Sequence, residues 1–285
     1  MPHGSLRIGD VEVVALCDGV VGSERSIERS FPSVPGHVWE LVRRSNPETI
    51  SPTGRWQLHV HAFLLRANGR TLLFDAGFGG GDAPAVAWTG TGGRLMEELA
   101  ALSVDPSEVE LVVLSHAHDD HVGWAVGADG GPAFPKARYL LHEADWGWVR
   151  RPDDPDNGPV AERCLRPLAA AGILDTCGDG HRIGTGLTLR HAPGHTPGHQ
   201  VLVIDSAGAR GMLAADSVNH PVQLVDPTWF GTSDDDPRLA AATRAALVDL
   251  AERQELLVVT SHFPNPFGRI VRHEGRHAWS PVRGT

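Results

Sequence analysis

Residues 115–123 read S-H-A-H-D-D-H-V-G, placing three histidines and two aspartates within six positions, directly behind the apolar run 111–114. Imidazole nitrogens and carboxylate oxygens together suit zinc, iron or manganese, and a compact cluster of both is an efficient way to hold such an ion. A solvated polar loop is the plainer alternative in a chain that carries 16 histidines. What separates the two is whether residues of ligand type stand at comparable places elsewhere.

They do, once the elements are placed. A strand is expected over 11–16, closed by the turn signal Asp18-Gly19; two more, 58–66 and 71–75, are joined by an Asn68-Gly69 hairpin turn. The second of these ends at Asp75 and opens into A-G-F-G-G-G, which lacks the lysine and the helix start of a phosphate-cradling loop. Leu95, Leu99 and Leu102 predict a helix over 94–102, and the run 111–114 predicts a buried strand that delivers the histidine cluster at its carboxyl end. A strand at 138–141 leads into a helix at 143–149, then a polar linker over 152–159 and a helix over 160–171.

The second half echoes the first. A strand at 187–190 runs into H-A-P-G-H-T-P-G-H, which carries His191, His195 and His199; a strand pair at 200–205 and 211–215 ends at Asp216. A helix over 238–253, with Leu239, Ala242, Ala246 and Leu250 on one face, precedes a buried strand at 256–260 that delivers Ser261-His262, and 268–273 reads as the last strand. Ligand-type residues thus recur at the ends of apolar strands: 75, 116–121, 195, 216 and 262. Loops at strand ends are where sheet proteins present chemistry. A two-layered β core with helices outside, built from two similar halves, fits the alternation. Residues 19–57, with Pro32, Pro35, Pro47 and Pro52 around one short helix at 37–44, form a long irregular stretch of the kind that covers a site or an interface.

Composition narrows the function classes. The 285 residues are 41% hydrophobic and 21% charged, with net charge −10 and 25 scattered Lys and Arg residues, which opposes a nucleic-acid footprint and a polybasic membrane anchor. No apolar run nears the ~20 residues that span a bilayer, and no basic stretch followed by an apolar one marks a secretory signal. Cys17, Cys164 and Cys177 are odd in number and lack CxxC spacing, so free thiols and a cytoplasmic location are expected. A small-molecule substrate follows, with 19–57 serving as a lid or a homodimer contact on one domain, 1–285.

These residues resemble the metallo-β-lactamase superfamily, an α/β fold with a four-layer αββα sandwich. The H-x-H-x-D-H motif is His116, His118, Asp120 and His121; His195 in A-P-G-H-T-P-G-H, Asp216 in L-A-A-D and His262 in T-S-H-F follow in the family's order, and Asp75 in L-L-F-D-A-G matches its early aspartate. The resemblance implies two divalent metal ions, Zn2+ foremost with Mn2+ or Fe2+ as alternatives. His116, His118 and His195 would hold one, Asp120, His121 and His262 the other, with Asp216 bridging and Asp75 orienting a ligand imidazole. Two ions ~3.5–4 Å apart can share one hydroxide and bring its pKa toward neutrality.

Within the family the pattern is most similar to the acyl-homoserine lactonases and the methyl parathion hydrolase-like enzymes. That implies hydrolysis of an ester or lactone by the bridging hydroxide, with Asp120 as the catalytic residue that orients it or relays its proton. Phosphotriester or thioester hydrolysis on the same site is the alternative, and an iron-binding redox protein a remoter one. Lactonases of this branch often carry a tyrosine soon after the bridging aspartate, where this chain has Ser217-Val218-Asn219-His220. Asp119 is expected to face away as a solvated or capping residue, His199 to support a loop, and His59 and His61 to share a strand face without ligating. His142, His191, His220 and His273 are left unassigned. Trp56, Trp88, Trp124, Trp229 and Phe230 flank the motif loops and are candidates for the wall of an apolar pocket.

Overall fold

Side chains alternate between two environments along the central strands, as the period-two geometry of a strand requires. On the strand Arg55–Ala67, Phe63, Leu65 and Ala67 enter one buried cluster while Ala62 and Leu64 enter another. Val113 and Val112 divide in the same way, as do Val259 and Val258 on the far side of the molecule. The shared cluster lies between two sheets, and each outer cluster receives helices. In this computed structural model, which describes residues 4–151 and 157–283, the outcome is an αββα sandwich.

The first sheet runs in chain order: β1 (Ser5–Ile8), β2 (Val11–Ser26), β3 (Arg55–Ala67), β4 (Arg70–Phe74), β5 (Val109–Val113), β6 (Arg138–His142) and β7 (Leu174–Cys177). The second has the order β14-β13-β12-β11-β10-β9-β8, from β8 (Arg182–Gly184), β9 (Leu187–His191), β10 (Gln200–Ser206), β11 (Ala209–Ala215), β12 (Leu257–Thr260), β13 (Phe267–His273) and β14 (Arg276–Pro281). Most neighbours are antiparallel, but β4 pairs with β5, β5 with β6, β6 with β7 and, in the second sheet, β11 with β12 in parallel. Asp75 and Ser115-His116 follow the β4–β5 pair closely; Asp216 and Ser261-His262 follow the β11–β12 pair. At both exits the backbone turns left-handed, with φ of 65° at Asp75 and 43° at Ala215. Residues with a Cβ rarely adopt that conformation, and it is stored strain that the surrounding structure must hold.

Leu95 and Leu99 of the helix Leu95–Ala101, with Leu165 and Leu168, cover the first sheet. The helix Pro237–Arg253 covers the second; Asp236 caps it by accepting from the Arg238 and Leu239 N–H groups, and Pro237 stands where a missing N–H costs nothing.

Several expectations need correction. The first long strand does not end at Asp18-Gly19: β2 continues to Ser26 with a register shift between Cys17 and Gly19. Asp18 is fully buried in that irregularity and accepts from the Phe78 N–H (2.7 Å), the Leu95 N–H (2.6 Å) and the Trp124 indole (3.0 Å). Strands β1, β7, β8 and β14 were not foreseen; most are short and all lie toward the sheet edges, and β14 continues the second sheet beyond 268–273. The long helix buries Ala240, Arg244, Val248 and Ala251, while Leu239 is 42% exposed and Ala242 and Ala246 face solvent. A buried arginine displaces the face that hydrophobicity alone selects. Of the linker 152–159, residues 152–156 lie outside the described residues, and Gly158–Val160 is already helical.

The segment 19–57 is more ordered than its prolines imply. It holds the helix Gly36–Ser45, and Ile27, Phe31, Val34, Val38, Trp39 and Val42 build a small core with Trp56, Leu58 and Val60 of β3. Among the described residues no helix is long and apolar enough to cross a membrane, and all three cysteines are free.

Candidate metal centre

His116, His118, Asp120, His121, His195, Asp216 and His262 come together where the carboxyl ends of the two sheets meet. His116 Nε2 and His195 Nε2 each lie 3.0 Å from His118 Nδ1. His121 Nε2 lies 3.3 Å from His262 Nε2, and Asp120 offers one oxygen to each at 3.6 and 3.5 Å. Asp216 stands between the groups, with Oδ1 3.2 Å from His121 and 3.0 Å from His262, and Oδ2 3.2 Å from His195.

What the imidazoles do with their other nitrogen fixes the chemistry. His121 Nδ1–H donates to Asp75 Oδ2 (2.9 Å), His195 Nδ1–H to Asp234 Oδ1 (2.9 Å) and His262 Nδ1–H to the His59 carbonyl (2.7 Å). Ser115 Oγ–H donates to Asp75 Oδ2, leaving its lone pairs to accept from His116 Nδ1–H. Each of these four rings therefore turns Nε2 inward, the nitrogen at which a proton and a metal cation compete. Lone pairs converging at 3.0–3.3 Å repel. A single proton could bridge one such contact but not all of them, and Asp216 Oδ1 is buried without a hydrogen-bond donor. Cations of imidazole and carboxylate preference fit this set, and outward bonds of this kind are what hold metal-binding histidines in one tautomer. Among the described residues, His116/His118/His195 and Asp120/His121/His262 are two groups that could each hold an ion.

The electrostatics point the same way. Burial, with neighbouring imidazoles, holds His116 and His118 well below the usual histidine range. Burial also opposes charge on His121 and His195, but the Asp216, Asp120 and Asp75 carboxylates push His121 well up, and Asp216 and Asp234 push His195 up to about 9. Burial would raise Asp216, yet His262, His121 and His195 hold it well below the carboxylate range. Protons and divalent cations compete for the same nitrogens, so a field that raises these histidines also attracts metal.

Residues not foreseen from sequence brace the cluster. Asp234 accepts from His195 with one oxygen and from the Gly231 N–H and Arg244 with the other (3.2 Å each). Arg244, 1% exposed, also donates to the carbonyls of Ser217, Pro227 and Trp229, tying the loop after Asp216 to the loop before the helix. Asp145 joins both histidine loops through the Ala117 N–H, Thr196 Oγ–H and Gly198 N–H. In sequence Asp234 is hidden in S-D-D-D-P, where the run before proline reads as a helix cap; only Asp236 has that role.

Other residues sort more simply. His199 supports the site by accepting the Asp216 N–H and donating to the Ala192 carbonyl. His59 and His61 stack 6.1 Å apart, with His61 bonded to the Ser261 carbonyl. Asp119 does not face away: it is half-buried, borders the cavity and accepts from the Trp88 indole (2.8 Å). His220 packs in the core against Phe31, Trp39 and Trp56.

A cavity of about 470 Å³ opens over the cluster, bordered by Asp120, Asp216 and His262 below and by Phe31, Trp56, Leu58 and Trp88 on its apolar side. Trp56 and Trp88 thus serve as anticipated. Trp124, Trp229 and Phe230 do not border it, and Phe31 takes a place that no local signal announces.

Residues 55–262 match the sequence profile of the Metallo-beta-lactamase superfamily, well over half of the chain. The chain belongs to that superfamily. Among curated members, the N-acyl homoserine lactonase AttM of Rhizobium radiobacter is 29% identical over 184 residues, covering 61% of this chain and 66% of AttM, so the match spans just under two thirds of that relative. The N-acyl homoserine lactonase of Bacillus cereus is 23% identical over 77% of this chain and 88% of its own length. Among solved structures, the hydrolase AbOPH of the beta lactamase superfamily superposes with a TM-score of 0.87 at 22% identity, and the dizinc quorum-quenching lactonase AidC with 0.85 at 20%; each comparison covers 99% of this chain and 98% of the other. At those identities the likeness establishes the fold.

Proposed function

We propose that this superfamily member is a metal-dependent hydrolase of a small-molecule ester or lactone. The observation that carries the reading is the convergence of imidazole nitrogens around the Asp216 carboxylate on the floor of a cavity with an aromatic wall. The lactonase relatives support the substrate class. His116, His118 and His195 would hold one cation, Asp120, His121 and His262 a second, and Asp216 would serve both; the nitrogen-rich set favours zinc, with manganese or iron as alternatives. Such ions, when bound, generate hydroxide at neutral pH and polarise an acyl oxygen.

The chain's own residues do the rest. The aromatic wall takes the apolar part of the substrate and excludes water beside the acyl carbon. Asp120, half-buried at the cavity floor, orients the hydroxide. In hydrolysis the carbonyl electron pair would move to its oxygen as the new carbon–oxygen bond forms and return as the acyl–alkoxy bond breaks. Asp120 carries the hydroxide proton to the departing oxygen, leaving a carboxylate and an alcohol. In this reading residues 1–285 act as one domain and the segment 19–57 is the wall and lid of its cavity.

The test is a panel of chromogenic lactone, ester, thioester and phosphotriester substrates on zinc- and manganese-loaded protein, beside Asp216→Ala and His116→Ala. Turnover of lactones or esters, lost in both variants while they remain folded, is expected. Full activity in metal-stripped protein would refute the reading, and selective turnover of phosphotriesters or thioesters would move it to those classes.

A further inference from the structure

Two buried side-chain atoms that lack a hydrogen-bond partner belong to residues bordering the cavity: Asp216 Oδ1 and Asn219 Oδ1. The first is accounted for by the cations proposed above. Asn219 stands apart from the putting-together of that site, three residues further along the same loop, and it is 3% exposed. Its backbone is firmly held: its N–H and that of His220 both donate to Gln223 Oε1 (2.9 and 3.3 Å), and Gln223 Nε2 donates to the Trp229 carbonyl (3.2 Å). Beneath the loop, Arg244 binds the Ser217, Pro227 and Trp229 carbonyls. Yet no side-chain hydrogen bond of Asn219 exists among the described residues. A buried amide left without partners destabilises a fold, and folds seldom keep one without use.

We propose that the Asn219 amide is a catalytic hydrogen-bond donor, placed to bind the acyl oxygen of the substrate as negative charge develops there. This rests on the hydrolase reading and extends it to a residue that holds no metal. The amide nitrogen and oxygen occupy the same envelope, so an unpartnered amide can turn either end to a ligand. An acyl oxygen only accepts, and therefore selects the N–H. The rigid loop makes the donor preorganised: it is in place before the carbonyl electron pair moves to oxygen, and that preorganisation is what makes such donors effective. Trp56, which borders the same cavity, meets the His262 ring edge-on at 5.9 Å.

Asn219→Leu keeps the shape and removes the amide. It is expected to lower kcat on a lactone or ester by about 10- to 100-fold, with KM within threefold, metal content unchanged and the melting temperature equal to or above that of the parent. Asn219→Gln, which keeps the donor, is expected to recover part of the loss. A second measurement needs no turnover: calorimetric binding of an alkyl phosphonate monoester, whose tetrahedral anionic oxygens mimic the developing charge, to metal-loaded parent and Leu variant. A tenfold or greater weakening supports the assignment. Equal kcat, phosphonate affinity within twofold, or a melting temperature several degrees lower in the Leu variant would each overturn it. Parent protein that hydrolyses no lactone or ester would refute the hydrolase reading instead, and the phosphonate measurement would still decide the role of Asn219.

Discussion

Each inward-facing histidine is defined by what binds its outward nitrogen. Ligand type can be read from a motif, but tautomer cannot, because Asp75, Asp234, Ser115 and the His59 carbonyl come from other segments. Groups that orient a metal-binding imidazole typically change metal affinity 10- to 100-fold when removed. Asp234→Ala is therefore expected to weaken metal binding by about that factor, with the circular dichroism spectrum unchanged. Competition against a chromophoric chelator measures it; affinity equal to the parent's would show that His195 keeps its orientation unaided.

At the scale of elements, the helix Pro237–Arg253 does more than cover a sheet. Its buried Arg244 holds three carbonyls and the Asp234 carboxylate, so it couples the loop bearing Asp216 and Asn219 to the partner of His195. Removing one member of a buried ion pair leaves the other charged and unpaired, at a cost of roughly 3–5 kcal/mol. Arg244→Leu is expected to lower stability in urea by that order and to weaken metal binding as well. Arg244→Leu combined with Asp234→Leu should cost less than the sum of the two single changes, because the residues share one interaction. Strict additivity would show that the pair does not couple the loops.

For the whole molecule, acid is the revealing stress. His220 is fully buried among aromatic rings and burial pushes its pKa down to about 3. The unfolded chain takes that proton near the ordinary value of 6.5, so between there and about 3 the unfolded state binds more protons than the folded one. Stability from the neutral His220 is thus fully present above pH 6.5 and is lost as pH falls, by up to about 1.4 kcal/mol per pH unit. In metal-free protein, His220→Phe should flatten the dependence of urea midpoint on pH between 6 and 4; an unchanged slope would mean that His220 is not held neutral.

Much of this was legible in the chain itself. H-x-H-x-D-H, Asp216 and His262 stand directly behind apolar strands, and local periodicity is enough to place them there. The two-layered β core follows from the succession of apolar strands and helices along the chain, and the four-layer sandwich from the resemblance that the ordered motifs carry. What sequence could not decide is whatever depends on partners distant along the chain. Asp18 looks like a turn until Phe78, Leu95 and Trp124 close around it. Arg244 looks like a surface residue until four acceptors surround it. Edge strands such as β8 and β14 are too short or too polar to show a period. Local chemistry determined which residues could bind metal and where each strand would deliver them; tertiary packing alone decided which nitrogen faces inward, which acid braces it, and that Asn219 is left with an amide free for a ligand.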